Sequence, residues 1–172
     1  MDPSLLKCVF ISSKRYKKEL LINQNEVSIL YSFIKNIINN EVMILNTNLG
    51  LDIYYLSSID CKNIIENSFF IITTKKQNRA NEYRVKTLTT LTEISNRFFD
   101  LSTMPIAFTC YSKNLVCQLK TLNIHNKQIV DLLLKIWQKT TNLSVLNALN
   151  SNQSNSVKNL LVKNSLNPIR NN

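Results

Sequence analysis

The chain is poor in the residues that carry most recognisable chemistry: among its 172 residues are one glycine, one histidine and one tryptophan. A single glycine excludes the phosphate-cradling P-loop and the paired-glycine dinucleotide fingerprint, and neither H-E-x-x-H nor G-x-S-x-G occurs. Cys8, Cys61, Cys110 and Cys117 form no C-x-x-C pair, and with His125 alone beside them they assemble no familiar zinc constellation. Free thiols follow, although a disulfide between Cys110 and Cys117 across a hairpin is geometrically conceivable outside a reducing compartment. These absences predict a protein that is not an enzyme and needs no cofactor or metal.

Acidic residues are also scarce. Against 11 Asp and Glu stand 21 Lys and Arg, a formal charge of +10 and a pI near 9.6. Such a balance attracts polyanions, nucleic acid above all, although the abundance of Asn, Ile and Lys also fits an A/T-rich coding sequence in which part of the lysine is compositional. No apolar run approaches the ~20 residues of a membrane helix, and Met1-Asp2-Pro3-Ser4 lacks the basic-then-apolar pattern of a signal peptide. The expectation is an intracellular chain, nuclear or cytoplasmic, neither secreted nor membrane-bound.

What is present is enough apolar content, 44%, for one sizeable core. Residues 5–11 (LLKCVFI) read as a strand, followed by the basic stretch Lys14, Arg15, Lys17, Lys18 and a short apolar run at 20–22. From Glu26, the residues Val27, Leu30, Ile34 and Ile37 keep helical spacing, with Asn25 as N-cap and Asn39-Asn40 as the stop. Residues 42–47 and 51–56 read as strands joined by a turn in which Gly50 supplies a positive φ, and 69–72 reads as another strand. The segment 75–81 (KKQNRAN) reads as an exposed basic loop, 82–86 as a strand and 89–99 as a helix capped by Thr89 or Thr90. Pro105 ends any helix in this reading. Residues 104–111 and 115–122 then form a hairpin about Ser112-Lys113-Asn114, and 126–141 form an amphipathic helix through Ile129, Leu132, Leu133, Ile136 and Trp137. Composition divides the chain into one α+β domain, 1–149, and an Asn- and Ser-rich flexible tail, 150–172.

The order short strand, helix, two strands thus occurs twice, at 19–56 and at 82–122, which predicts duplicated β-α-β-β units with a C-terminal helix. The segment 26–60, EVSILYSFIKNIINNEVMILNTNLGLDIYYLSSID, resembles the first helix and following strands of the DNA sliding-clamp superfamily, which includes PCNA, checkpoint-clamp subunits and viral polymerase processivity factors. YRVKTLTTLTEISNRFF (83–99) is similar to the strand leading into that family's second helix. The resemblance implies a non-enzymatic accessory protein of DNA replication or repair, touching DNA without regard to sequence and serving a polymerase or repair complex. It also implies that a ring needs further copies or larger partner subunits, hence a homo- or hetero-oligomer.

Clamp helices present cations to phosphates, yet here the first helix offers Lys35 alone and the second Arg97 alone. The candidate phosphate contacts are therefore the clustered residues Lys14, Arg15, Lys17, Lys18, Lys75, Lys76, Arg79, Arg84 and Lys86. Asp52 and Asp60 are weighed as a carboxylate pair against solvated strand ends, and His125 as a surface residue rather than a catalyst. Tyr16, Tyr54, Tyr55, Tyr83 and Tyr111 read first as sheet residues and second as stacking platforms, while Phe33, Phe98, Phe99 and Trp137 read as core. The competing reading is an assembly subunit, such as a viral regulatory protein, whose Trp137 helix or tail docks in a partner's groove without any nucleic acid.

Overall fold

A computed structural model describes residues 5–14, 20–73, 82–120 and 126–148. Within them the order of elements is β1 (Leu6–Ser13), α1 (Gln24–Ile38), β2 (Val42–Thr47), β3 (Gly50–Leu56), α2 (Lys62–Thr73), β4 (Tyr83–Leu88), α3 (Leu91–Ser102), α4 (Pro105–Lys120) and α5 (Lys127–Ala148). The four strands form one sheet in the order β2-β3-β1-β4 with every neighbouring pair antiparallel, the split β-α-β arrangement. The result is a mixed α/β fold with a four-stranded antiparallel sheet and five helices among the described residues.

Alternation along the strands produces two cores, because successive side chains point to opposite faces. Val9, Ile11, Val42, Ile44, Leu51, Ile53 and Tyr55 pack with Leu30 and Ile34 of α1 and with Ile65 and Phe69 of α2. Leu6, Cys8, Met43, Leu45, Tyr54 and Leu56 pack on the opposite face with Ile94 and Phe98 of α3, Phe108 and Tyr111 of α4, and Leu133 and Trp137 of α5. Because helices cover both sides of the sheet, β3 is buried at every position, including the acidic Asp52.

Local chemistry sets the helix ends. Asn23, two residues before the expected Asn25, caps α1: its side chain accepts the Glu26 N–H at 3.0 Å and Glu26 returns a bond to the Asn23 N–H at 2.8 Å. Only a cap three residues before the glutamate allows that reciprocal box. Asn39 ends the helix at φ 50°, a left-handed conformation asparagine tolerates. Thr90 and Glu93 repeat the box at the start of α3.

Two expected ribbons are helices instead. Residues 69–72 belong to α2, where Ile65, Ser68 and Phe69 turn one face to the core. Residues 104–111 and 115–122 were expected as a hairpin, but 105–120 form α4, with Phe108, Tyr111 and Ser112 buried along one side. Pro105 starts this helix rather than ending one, since the first helical position has no intrahelical N–H bond to lose. The supposed turn residues are absorbed too: Ser112 Oγ donates to the Phe108 carbonyl and Asn114 Nδ2 to the Cys110 carbonyl. The second half is therefore strand, helix, helix, and residues 20–22 form no strand, so the duplicated order is not found among the described residues. With α4 continuous, Cys110 and Cys117 are two turns apart, about 10 Å of helix rise, beyond the ~7 Å that a disulfide spans; Cys110 is free. The tail at 150–172 lies outside the described residues.

Candidate functional site

Strand pairing joins what the sequence presents as two separate basic stretches. β1 and β4 run antiparallel with Ser13 opposite Tyr83, Ser12 opposite Arg84 and Phe10 opposite Lys86, and the Lys14 N–H donates to the Glu82 carbonyl at 2.7 Å. Lys14, just after β1, and Glu82, just before β4, consequently meet at one corner of the sheet. Lys14, Arg84 and Lys86 are exposed there. Arg84 and Lys86, two residues apart, point to the same side of the edge strand β4 as Phe10 and Ser12. Arg15, Lys17, Lys18, Lys75, Lys76 and Arg79 lie outside the described residues.

Beside the corner, on the three-helix face, sits a buried ion pair. Asp52 is wholly inaccessible, and the Arg97 guanidinium forks onto it, Nε to Oδ1 at 2.7 Å and Nη2 to Oδ2 at 2.9 Å. The guanidinium carbon lies 3.6 Å above the centre of the Phe10 ring, so the cation is held between a carboxylate and an aromatic face. Cys8 Sγ lies 4.0 Å from the same carboxylate, and the Tyr54 and Tyr111 hydroxyls bond to each other nearby.

Burial dominates the protonation of this cluster. It raises the Asp52 carboxyl above the ordinary range although Arg97 pulls in the other direction, and it raises the Cys8 thiol well above its usual value with the Asp52 charge adding to the effect. It raises Tyr54 and Tyr111 well above theirs as well. For Arg97 burial opposes the charge, but Asp52 outweighs it and holds the guanidinium protonated. Cys8, Tyr54 and Tyr111 thus favour their neutral forms beside the Asp52–Arg97 pair. Their work is to pin α3 to the centre of the sheet.

The remaining candidates are dispersed. Asp60 accepts the Lys62 N–H at 2.8 Å at the start of α2 and the Tyr55 hydroxyl at 3.2 Å. Tyr55 belongs to the α1/α2 core and Asp52 faces α3, so the two aspartates are on opposite sides of the sheet and form no pair. Burial raises the Tyr55 hydroxyl too. Tyr54, Tyr55 and Tyr111 are buried, and Tyr83 packs edge-on against Phe69 at 5.2 Å. Trp137 stacks on Phe108 at 4.5 Å and meets Phe98 edge-on at 5.9 Å, which places the aromatic side of α5 inside the fold. Phe98 is core as expected, whereas Phe33 and Phe99 are exposed. Tyr16 and His125 lie outside the described residues. Among the described residues no group of three or more His, Cys, Asp and Glu is placed to hold a metal ion, and no helix is long and apolar enough to cross a membrane.

Sequence reasoning missed the Asp52–Arg97 pair, taking Arg97 for a free helix cation. The available signal was a lone carboxylate inside the apolar run LGLDIYYL, which requires a partner once buried. Comparison of the chain with protein-family models, with curated proteins and with solved structures gives no match.

Proposed function

We propose that this chain is a non-enzymatic, DNA-associated accessory protein that meets phosphates through the β1–β4 corner, without reading sequence. The observation that supports the proposal is the backbone bond from the Lys14 N–H to the Glu82 carbonyl, which continues the β1–β4 pairing and brings Lys14, Arg84 and Lys86 to one end of the sheet. Clustered cations release condensed counterions when they replace them at phosphates, and this supplies affinity independent of base identity. Of the tyrosines that would make a stacking platform, Tyr54, Tyr55 and Tyr111 are inside the fold and Tyr83 is packed edge-on, which favours backbone contact over base contact.

A sliding-clamp relationship has narrower support. Of its helix-borne cations Arg97 is closed on Asp52 while Lys35 Nζ donates to the exposed Asn40 carbonyl at 2.7 Å, and α4 occupies the place of the second pair of ribbons. What survives from that expectation is service to a polymerase or repair complex by a basic platform rather than by an encircling helix layer.

The test is fluorescence anisotropy with several unrelated DNA duplexes, from about 50 to about 200 mM salt, on the full chain and on the triple variant Lys14→Glu/Arg84→Glu/Lys86→Glu. The expected result is a steep loss of affinity with salt, with the slope of log affinity against log salt reduced by about 3 in the variant and all duplexes weakened alike. Binding that ignores salt, or a triple variant that binds as the parent does, refutes the proposal.

A further inference from the structure

We propose that the outer stripe of α1 is a self-association surface on which a second copy of this chain packs its own α1 across a two-fold axis. Ile29, Phe33 and Ile37 follow one another at four-residue spacing and are 58%, 48% and 45% exposed. They form one stripe along the helix, distinct from Val27, Leu30 and Ile34, which are buried against the sheet. The flanking Ser28 and Ser32 hydroxyls already donate to the Gln24 and Ser28 carbonyls, each at 3.0 Å, so small side chains with satisfied polar atoms border the stripe.

Charge identifies the occupant. In a chain of formal charge +10, the other exposed positions of α1 are Gln24, Asn25, Ser28, Ser32 and Asn36, all uncharged. The helix's two charged side chains are tied near its ends, Glu26 in the capping box and Lys35 on the Asn40 carbonyl. Among the described residues of α1, no Lys or Arg lies in the stripe for an acidic partner or an anionic bilayer to pair with. Two identical basic chains repel over most of their surface and meet at least cost where neither carries free charge. The stripe is also self-complementary: with Phe33 on the two-fold axis and the helices antiparallel, Ile29 of one copy faces Ile37 of the second.

Area sets the strength. The three side chains expose roughly 100 Å² each, so two copies cover on the order of 600 Å² of apolar surface, short of the ~1,200 Å² at which standard interfaces begin. The dimer is therefore weak, with a dissociation constant in the region of ~10–100 µM. It leaves the basic corner open in both copies, because α1 packs on β2, at the opposite edge of the sheet from β4.

Sedimentation equilibrium of the full chain without nucleic acid, from about 1 to about 500 µM, tests this. The mass is expected to rise from 19.9 kDa towards twice that value. Added salt should tighten the dimer by screening repulsion between like-charged copies, the reverse of its effect on DNA binding. Phe33→Glu, and independently Ile37→Lys, should raise the dissociation constant more than ~10-fold with the circular dichroism spectrum and thermal midpoint kept, since both side chains are exposed. Ile106→Glu, at a 78% exposed position on α4, should leave it unchanged. Four results overturn the proposal: a monomer at every concentration, a dimer that survives both α1 variants, a dimer weakened equally by Ile106→Glu, or a monomer whose stripe binds lipid vesicles instead.

Discussion

Replacing Arg97 with methionine isolates the energetics that hold the three-helix layer to the sheet. The substitution keeps most of the aliphatic volume but leaves the Asp52 carboxylate, 0% exposed, without the two bonds at 2.7 and 2.9 Å that compensate its burial. Breaking one side of a buried pair costs about 3–5 kcal/mol. Arg97 retains 16% exposure, so water relaxes into the site in part and the loss should fall near the lower end, about 3 kcal/mol. Replacing both partners, Asp52→Leu with Arg97→Met, removes the charge and the need for a counterion together, and should return to within ~1 kcal/mol of the parent. The single variant should also acquire a pH signature. Folded Asp52 already titrates above its unfolded value because burial outweighs Arg97, so between those two values the native state holds a proton that the unfolded chain has released. That contribution to stability is complete below the unfolded pKa and is lost as pH rises through the folded one. Without Arg97 both downward influences vanish and the folded pKa climbs further, so the deficit relative to the parent should grow by up to ~1.4 kcal/mol per pH unit as pH rises above the parent's folded Asp52 pKa. Guanidinium unfolding of parent, single and double variants at several pH values reads all three quantities. A flat deficit across pH, or single losses that simply add in the double variant, would refute the reasoning.

Two further substitutions probe how distant segments are tied. Glu41, 8% exposed, accepts the Gln128 and Ile129 N–H groups at 3.2 and 2.9 Å, capping α5 from the residue before β2. Glu41→Ala should cost about 1–2 kcal/mol in chemical denaturation, and hydrogen exchange should show protection lost first at the start of α5. Gly50 sits at φ +141°, and an added Cβ would lie 2.3 Å from the Ile11 carbonyl oxygen and 2.9 Å from Phe10 Cε2. Gly50→Ala should cost at least ~2 kcal/mol and lower the thermal midpoint, because backbone strain and a clash with backbone coincide; a midpoint equal to the parent's would show that β1 can move aside.

Much of the fold was readable where periodicity and local chemistry agree. The strands at 6–13, 42–47, 50–56 and 83–88 and the helices α1 and α3 follow from alternation, helical spacing and capping residues within a few positions, and α5 starts where expected but runs seven residues past 141. α2 and α4 were not readable, for a shared reason. FFII at 69–72 is a short apolar run that fits a buried strand as well as a helix face, and Ile106, Phe108 and Cys110 alternate although the helix buries Phe108 and Tyr111 instead. In such stretches packing against the rest of the chain decides the conformation. The candidate site divides in the same way. Clusters of Lys and Arg are visible in sequence, but the approach of Lys14 to Arg84 and Lys86 depends on β1 pairing with a strand some seventy residues later, and the Asp52–Arg97 bond spans 45 residues. Neither long-range pairing leaves a local trace.

Covering both faces of the sheet restricts where any partner can act, and the two proposed contacts follow from that restriction. A polymer of phosphates cannot lie on a face buried under α1 and α2 or under α3, α4 and α5; it can reach the β4 edge, where Lys14, Arg84 and Lys86 are exposed. An apolar contact between copies needs a surface clear of those cations, and α1 lies over β2 at the far edge with no free charge on its outer stripe. On these two proposals the sheet order separates a salt-weakened surface from a salt-strengthened one. Raising salt in a mixture of chain and DNA should release the nucleic acid while driving the freed chains together, and a dimer that dissolved along with the DNA complex would place both contacts on the same cations.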